Sequence, residues 1–505
     1  MMVSLSGWRR LTRDGDMVII KFYKKYKMLP VQIKASGWFL ICAFLQKGIS
    51  FITTPIFTRL LSTAEYGQYN VFTSWKNIIA VIISLNLYCG VYTRGLVKFE
   101  KDRKAFSSSL QGLNLTLLLL WLAIYLPFRD FWNHMFSLST VQMLLMFQTI
   151  WTTSVFAFWS MEQRVDFRYF KLVIVTIVVT IAKPVVGIVF VTLLEDKVTA
   201  RILGWALVEF LVYTWFFFGQ IFRGKVFFSF KYWKHALMFN VPLIPHYLSQ
   251  TVLNSADRIM IRGMVNESAA GIYSLAYSIS LIMTMFNTAL MQTIEPWMYK
   301  KINNQKISDI SSVAYPVFML IAFINVVLIA FAPEIVAIFA PAEYHAAIWI
   351  IPPVTMSVFF MFSYSFFAVF EFYYEKKKFI VISTCVGALL NIVLNFIFIR
   401  VYGYYAAGYT TLFCYIIYAI LHFISMKYIC KKYLDNNQPY STKIYLTIAG
   451  TFLVISTVLL FSYHSMILRY MFIAIMIMMS FLKRRLLIEN IKNIIFIRQN
   501  KLKDL

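Results

Sequence analysis

The chain has 505 residues, of which 60% are hydrophobic and 14% charged, and its formal net charge is +26. Roughly a quarter of the residues of a soluble domain are charged, so this composition excludes an ordinary globular protein and indicates one embedded in a membrane. The basic residues flank apolar segments, where an anionic inner leaflet accounts for them, and we therefore predict no nucleic-acid partner.

Fourteen apolar segments follow one another along the chain, each close to the roughly 20 residues that a helix needs to cross a bilayer. They lie at 33–57, 69–93, 108–128, 137–160, 171–194, 201–222, 235–257, 270–296, 310–333, 346–374, 379–400, 405–426, 442–462 and 466–482. Of the 48 Lys and Arg residues, 37 lie at the two ends and in every second connection, and only eight lie in the other connections. By the positive-inside rule, this asymmetry predicts that both termini are cytoplasmic.

The two halves of the chain carry related residues. Gly67 and Tyr69 open the second segment, and Gly271 and Tyr273 open the eighth, at an offset of 204 positions. Both segments leave the same membrane face in the same direction, so we predict an all-α polytopic fold with two parallel six-helix repeats around a central cavity and two additional helices. The predicted regions are a basic amino-terminal segment (1–32), a first bundle (33–234), a second bundle (235–427), two further helices (428–482) and a basic tail (483–505).

Motifs of soluble enzymes are absent from the sequence. It contains no Walker loop, no helical HExxH, no GxSxG elbow and no Cys/His cluster with metal-ligand spacing, so we predict a non-enzymatic protein without cofactor or metal. The first 32 residues lack a continuous apolar stretch before the first segment, and we expect no cleaved signal peptide.

Three lysines, Lys47, Lys76 and Lys183, lie inside predicted spans. A charge near the middle of a bilayer costs about 2.5–3.5 kcal/mol, so such a residue usually faces a cavity or a charged partner. Lys47 shares a helix face with Ser50 and Thr54, which favours a cavity lining over structural pairing. We predict that all three lysines form the cationic part of a substrate site.

Two of these lysines have an alternative explanation. Lys183 lies at a similar depth to Glu209 on the adjacent predicted helix, so a buried ion pair fits the sequence as well as a cavity lining does. Lys76 lies nearer the outer face, where its ammonium group could instead extend to the membrane surface.

Polar side chains also recur at helical spacing on the seventh and eighth segments. Such faces are unfavourable in lipid, so they line either a substrate path or a contact between helices, and we favour the path. The residues predicted for this path, besides Ser50 and Thr54, are His246, Gln250, Asn254, Thr284 and Asn287. Three acidic residues, Glu209, Asp257 and Glu295, are candidates for ion coupling.

Several stretches carry a family resemblance. Residues 36–61, which include Thr-Pro-Ile-Phe-Thr-Arg-Leu-Leu, and residues 65–67 resemble the opening of the Wzx-type oligosaccharide flippases of the multidrug/oligosaccharidyl-lipid/polysaccharide (MOP) exporter superfamily. Residues 242–246, 257–258 and 271–273 are similar to the second half of that family. The resemblance implies fourteen helices, a central cavity and alternating access for undecaprenyl-diphosphate-linked glycans.

We therefore predict a flippase that moves a lipid-linked oligosaccharide repeat unit from the inner to the outer leaflet of the bacterial cytoplasmic membrane, for O-antigen or another surface polysaccharide. The predicted partners are that polyprenyl-diphosphate-linked glycan and membrane lipids, with a polysaccharide polymerase and chain-length machinery as further candidates. Three lysines against one glutamate at depth favour an anionic substrate. The alternatives are a multidrug or organic-cation antiporter of the same superfamily and an integral-membrane glycan polymerase.

Overall fold

The structure, a computed structural model, describes residues 31–482, and every regular element in that range is an α-helix or a 3₁₀ turn. Residues 1–30 and 483–505, which hold most of the predicted amino-terminal segment and the whole basic tail, lie outside the described residues. Ten helical stretches within the described part are long and apolar enough to cross a membrane. The chain is thus an all-helical, multi-pass membrane protein, while the count of fourteen spans and the cytoplasmic termini stay predictions.

Each of the fourteen predicted segments overlaps helix in the structure, but the second, the seventh and the eighth are each interrupted, at 85–90, 241–243 and 281–282. The helices are α1 (Val31–Leu60), α2 (Thr63–Ser84), α3 (Val91–Lys98), α4 (Arg103–Tyr125), α5 (Arg129–Phe136), α6 (Thr140–Val165), α7 (Tyr169–Leu193), α8 (Lys197–Gly224), α9 (Phe230–Asn240), α10 (Ile244–Met264), α11 (Glu267–Ser280), α12 (Met283–Asn303), α13 (Ser308–Ala330), α14 (Ala332–Phe339), α15 (Ile351–Tyr373), α16 (Lys377–Tyr402), α17 (Ala406–Tyr433), α18 (Thr442–Phe461) and α19 (Met466–Leu482).

Local chemistry explains where α2 begins and ends. The Ser62 hydroxyl accepts a hydrogen bond from the Glu65 backbone N–H at 3.2 Å, and the Glu65 carboxylate accepts one from the Ser62 N–H at 2.8 Å. This capping box satisfies two of the backbone donors that a helix start leaves free. The helix ends at Leu85 and Asn86, which both have positive φ and cannot continue an α-helix.

The two halves repeat the same packing. In the first half, α1 packs on α7, α7 on α8, and α6 on α8. In the second half, α10 packs on α16, α16 on α17, and α15 on α17. These are the equivalent neighbours that a duplicated six-helix unit predicts.

The halves meet where α2 crosses α10 and α11. Gly67 and Gly271, the two glycines that the offset of 204 relates, lie at the crossing of α2 and α11. A Cβ atom on Gly67 would lie 2.0 Å from the carbonyl oxygen of Glu267, and one on Gly271 would lie 2.1 Å from the carbonyl oxygen of Thr63. Because each contact is with backbone atoms of the other helix, only glycine fits at these two positions. The crossing brings the two halves into contact at the end predicted to face outward.

We expect Gly67→Ala and Gly271→Ala each to destabilise the protein by about 1–3 kcal/mol, since neither helix can move away without separating the halves. The measurement is thermal unfolding of the purified protein in detergent. Gly263→Ala is the matched control, because a Cβ atom on this helical glycine meets nothing within 4 Å. An equal loss of stability in all three variants would contradict a specific helix crossing.

Candidate functional site

A cavity of about 390 Å³ lies between the two halves. One wall is the polar face of α1 that the sequence predicts, with Lys47, Ser50 and Thr54, and the opposite wall includes Thr284 of α12. The Lys47 ammonium donates a hydrogen bond to the Thr284 hydroxyl at 3.1 Å. Four of the predicted site residues, from segments more than 200 residues apart, thus line one cavity.

The cavity lies at a break in the polypeptide helix. The eighth predicted segment is not continuous, because α11 ends at Ser280 and α12 begins at Met283, and Leu281 and Ile282 between them line the cavity. The Leu281 carbonyl accepts hydrogen bonds from both the backbone N–H of Thr284, at 2.9 Å, and the Thr284 hydroxyl, at 2.6 Å. Discontinuous helices are how many transporters present backbone groups to a substrate. No Gly or Pro marks this break, so it could not be predicted from the sequence.

Further lining residues were also absent from the prediction. Gln46 and Phe51 of α1 lie beside the predicted polar face, Ser278 comes from α11, and Phe339 is the last residue of α14. The Phe51 and Phe339 rings are in contact, with centroids 4.3 Å apart. None of the residues that line this cavity is acidic, and within residues 31–482 no carboxylate forms an ion pair with Lys47.

Lys76 and Lys183 lie elsewhere, in a polar cluster inside the first half. Lys183 forms an ion pair with Glu209, whose side chain is 2% exposed. The Lys76 ammonium lies 4.1 Å from the centre of the Trp205 ring, and the Trp205 indole N–H donates to Glu209 at 2.8 Å. The structure therefore supports the ion-pair alternative for Lys183 and separates both lysines from the cavity that contains Lys47.

The Glu209 carboxylate accepts hydrogen bonds from four side chains. Besides Lys183 and Trp205, it accepts hydrogen bonds from the Thr152 hydroxyl at 2.9 Å and the Thr153 hydroxyl at 3.2 Å. A buried carboxylate with this many donors keeps its negative charge, and it needs a nearby cation. This cluster joins α6, α7 and α8 into a rigid unit.

The residues predicted on the seventh segment lie mostly inside the second half. Asp257 is fully buried and accepts hydrogen bonds from Tyr273 at 2.6 Å, Asn395 at 2.6 Å and Thr411 at 2.9 Å. Asn254 accepts hydrogen bonds from the hydroxyls of two tyrosines of the second half. These contacts join α10, α11, α16 and α17.

Four further predicted residues are also outside the cavity lining. His246 contacts the Thr384 hydroxyl of α16 at 2.9 Å, while Gln250 is exposed. Asn287 is buried and donates to the Val358 carbonyl of α15 at 3.5 Å. Glu295 accepts a hydrogen bond from Tyr299, four residues along α12, at 3.0 Å. For His246 and Asn287 the structure shows contacts between helices, which was the alternative that the sequence left open. The role of Gln250 in a path stays a prediction, as does that of Glu295 in ion coupling.

The fold and the cavity define the class of protein: an all-helical, multi-pass membrane protein with a polar cavity between two halves, as in transporters. Residues 33–302 match the protein family described as polysaccharide biosynthesis protein. The match covers more than half of the chain, which therefore belongs to this family, and the predicted family is confirmed.

One curated relative and two solved structures show the breadth of the similarity. The chain is 24% identical over 289 residues to "Lsg locus putative protein 1" of Haemophilus influenzae; the match covers 52% of this chain and 65% of that protein, which is less than two thirds of its length. The solved structure of the lipid II flippase MurJ in an inward closed conformation has a TM-score of 0.68 at 14% identity, over 88% of this chain and 98% of that one.

The second solved structure is a multidrug resistance MATE family transporter of the MOP superfamily in an inward-facing conformation. Its TM-score is 0.59 at 14% identity, over 77% of this chain and 96% of that one. At this level of identity, both structures show that the chain shares the MOP superfamily fold.

We expect Lys183→Met to destabilise the protein by about 3–5 kcal/mol, because it leaves the Glu209 carboxylate buried without its cation. Lys183→Met combined with Glu209→Gln should recover most of that loss, since the amide oxygen can still accept from Trp205 while the amide NH2 donates to the threonine hydroxyls, which also act as acceptors. The measurement is thermal unfolding in detergent. Lys104→Met is the control, because Lys104 is exposed. Additive losses in the double variant would contradict an ion pair.

Proposed function

We propose that this protein is a flippase for a lipid-linked oligosaccharide in the bacterial cytoplasmic membrane. It moves an undecaprenyl-diphosphate-linked repeat unit from the inner to the outer leaflet, for the synthesis of O-antigen or another surface polysaccharide. Membership of the polysaccharide biosynthesis family supports this proposal, as does a fold shared with the lipid II flippase MurJ.

The observation that carries the proposal is the position of Lys47. Its ammonium lies in the cavity between the halves, and it donates a hydrogen bond to the Thr284 hydroxyl rather than to a carboxylate. Phosphate oxygens are natural partners for such a group, because charge-assisted hydrogen bonds are stronger than neutral ones. A cationic substrate would be repelled from the same place.

The hydroxyl groups of the cavity suit the sugars of the substrate. Ser50 and Thr54 each donate to a backbone carbonyl one turn earlier in α1, at 3.1 and 2.9 Å. Each hydroxyl oxygen therefore keeps lone pairs free to accept from a sugar hydroxyl. Gln46 adds an amide to the same wall.

The arrangement of the halves suggests how the substrate is released. The crossing of α2 and α11 closes the end predicted to face outward, and the cavity lies deeper, between α1 and α12. We propose that α2 separates from α11 in the outward-open state while each half moves as one body. The polar clusters around Glu209 and Asp257 hold the helices of each half together during this movement.

The membrane potential favours outward transfer of an anionic substrate. Because two negative charges would leave an inside-negative compartment, the potential contributes about 4–5 kcal/mol per 100 mV.

The test is reconstitution in liposomes with a fluorescent polyprenyl-diphosphate-linked glycan, followed by an impermeant quencher that reports which leaflet holds it. We expect Lys47→Ala to lower the initial transfer rate at least tenfold, because the cavity loses its cation, and Lys47→Arg to keep much of it. Transfer should also become faster with an inside-negative potential.

The matched control combines Lys183→Met, Lys76→Met and Glu209→Gln, which removes both lysines of the first-half cluster together with the carboxylate beside them, so that no buried charge is left unpaired. It should fold and transport at close to the normal rate. If wild-type protein moves no glycan but exports an organic cation in exchange for protons, the protein is an antiporter and the flippase proposal is wrong.

A further inference from the structure

A second pocket, of about 220 Å³, lies on the rim of the first half, at the end predicted to face the cytoplasm. It is formed where α6 ends, α7 begins and α8 ends. Its basic residues are Arg168, Lys171 and Arg223, and its aromatic wall includes Trp159 and Trp215. It shares no lining residue with the cavity that contains Lys47.

The pocket has more positive charge than its own carboxylates neutralise. Arg223 is 3.3 Å from Glu162, a buried carboxylate that also accepts from Gln220. Arg168 is 3.6 Å from Asp166, but Asp166 has a shorter bond, of 2.7 Å, to Arg103.

Lys171 is exposed, and within the described residues it forms no ion pair. Four cations, Arg103, Arg168, Lys171 and Arg223, therefore face three carboxylates, those of Glu100, Glu162 and Asp166. The surplus positive charge is accessible, because Lys171 is exposed and the Arg223 side chain is 42% exposed while that of Glu162 is buried.

The surroundings of the pocket are those of a surface in contact with lipid. Trp215 is 75% exposed, and Phe222 and Phe170 are each 69% exposed. α7 and α8 are both among the helices that are long and apolar enough to cross a membrane, and exposed aromatic rings at the ends of such helices suit contact with lipid. The pocket lies beside this exposed apolar surface, because Trp215 belongs to both.

Gly219 keeps this pocket open. A Cβ atom at this position of α8 would meet nothing within 4 Å, so the glycine is not required by packing between helices. Its missing side chain leaves space beside Arg223, Trp215 and Phe216. A large side chain here would occupy the pocket without displacing backbone.

We propose that this pocket binds the phosphate head group of an anionic phospholipid, such as phosphatidylglycerol, from the inner leaflet. The three cations hold the phosphate oxygens, and the acyl chains lie along the exposed apolar faces of α7 and α8. Clusters of basic residues between membrane helices on the cytoplasmic side suit such head groups. The substrate's diphosphate has related chemistry, but the pocket is lined only by residues of the first half and shares none of them with the cavity between the halves, which favours a resident lipid.

The experiment measures lipid binding to the full-length purified protein, by native mass spectrometry with defined amounts of phosphatidylglycerol, phosphatidylcholine or a polyprenyl diphosphate. We expect tighter binding of phosphatidylglycerol than of phosphatidylcholine. Lys171→Gln should weaken phosphatidylglycerol binding about fivefold, which is the effect of one charge near a membrane surface. Lys101→Gln is the matched control, because Lys101 is exposed on the same predicted face but outside the pocket, and it should leave binding unchanged.

Gly219→Trp tests the pocket independently of charge. It should abolish the preference for phosphatidylglycerol while leaving the unfolding temperature unchanged, and Gly219→Leu replaces it if the larger variant is unstable.

The proposal does not rest on the flippase activity, since lipid binding is measured without transport. Equal binding of both phospholipids, or phosphatidylglycerol binding that neither Lys171→Gln nor the Gly219 variant weakens, would overturn it. A loss confined to polyprenyl diphosphate would assign the pocket to the substrate instead.

Discussion

The structure depends on one constraint: a charge in the membrane interior must have either a partner or a polar cavity around it. Lys183 meets this requirement with Glu209, and Lys76 lies against the Trp205 ring beside the same carboxylate. Lys47 meets it in a different way, because it lies in the cavity between the halves with a hydroxyl as its hydrogen-bond partner. The same physical requirement thus produces a rigid unit in one place and a candidate binding site in another.

Alternating access needs parts that stay rigid and contacts that can separate, and the two kinds of contact differ chemically here. Within the halves, buried carboxylates hold three or four helices together through several donors, as Glu209 does in the first half and Asp257 in the second. Between the halves, the crossing of α2 and α11 combines the close backbone contact of two glycines with side-chain hydrogen bonds, from Thr63 to Ser268 at 3.1 Å and from Gln68 to Glu267. These polar groups lie at the end predicted to face outward, where water can replace their partners when the contact opens.

The polar residues of the second half show what spacing along one helix can and cannot predict. His246, Asn254 and Asp257 lie on polar positions of α10, as predicted, yet the structure places them against α11, α16 and α17. A polar helix face in a membrane avoids lipid, but the spacing does not distinguish a water-filled path from a neighbouring helix with hydrogen-bonding groups. Thr284 faces the cavity and Asn287, one turn along, faces α15, because the break before α12 and the crossing angle of the helices set the direction of each.

By itself, the sequence determined that this is an all-helical membrane protein, where its helical segments lie, which family it belongs to, and that Lys47, Ser50 and Thr54 share one face. These properties depend on residues close together in the chain, through hydrophobic length and helical period. Only the tertiary structure decided that Lys183 pairs with Glu209 while Lys47 faces the cavity, that Gly67 meets Gly271, and that Arg168, Lys171 and Arg223 surround one pocket. Such contacts depend on how helices distant in sequence rotate and cross, which the pattern within any single helix does not specify.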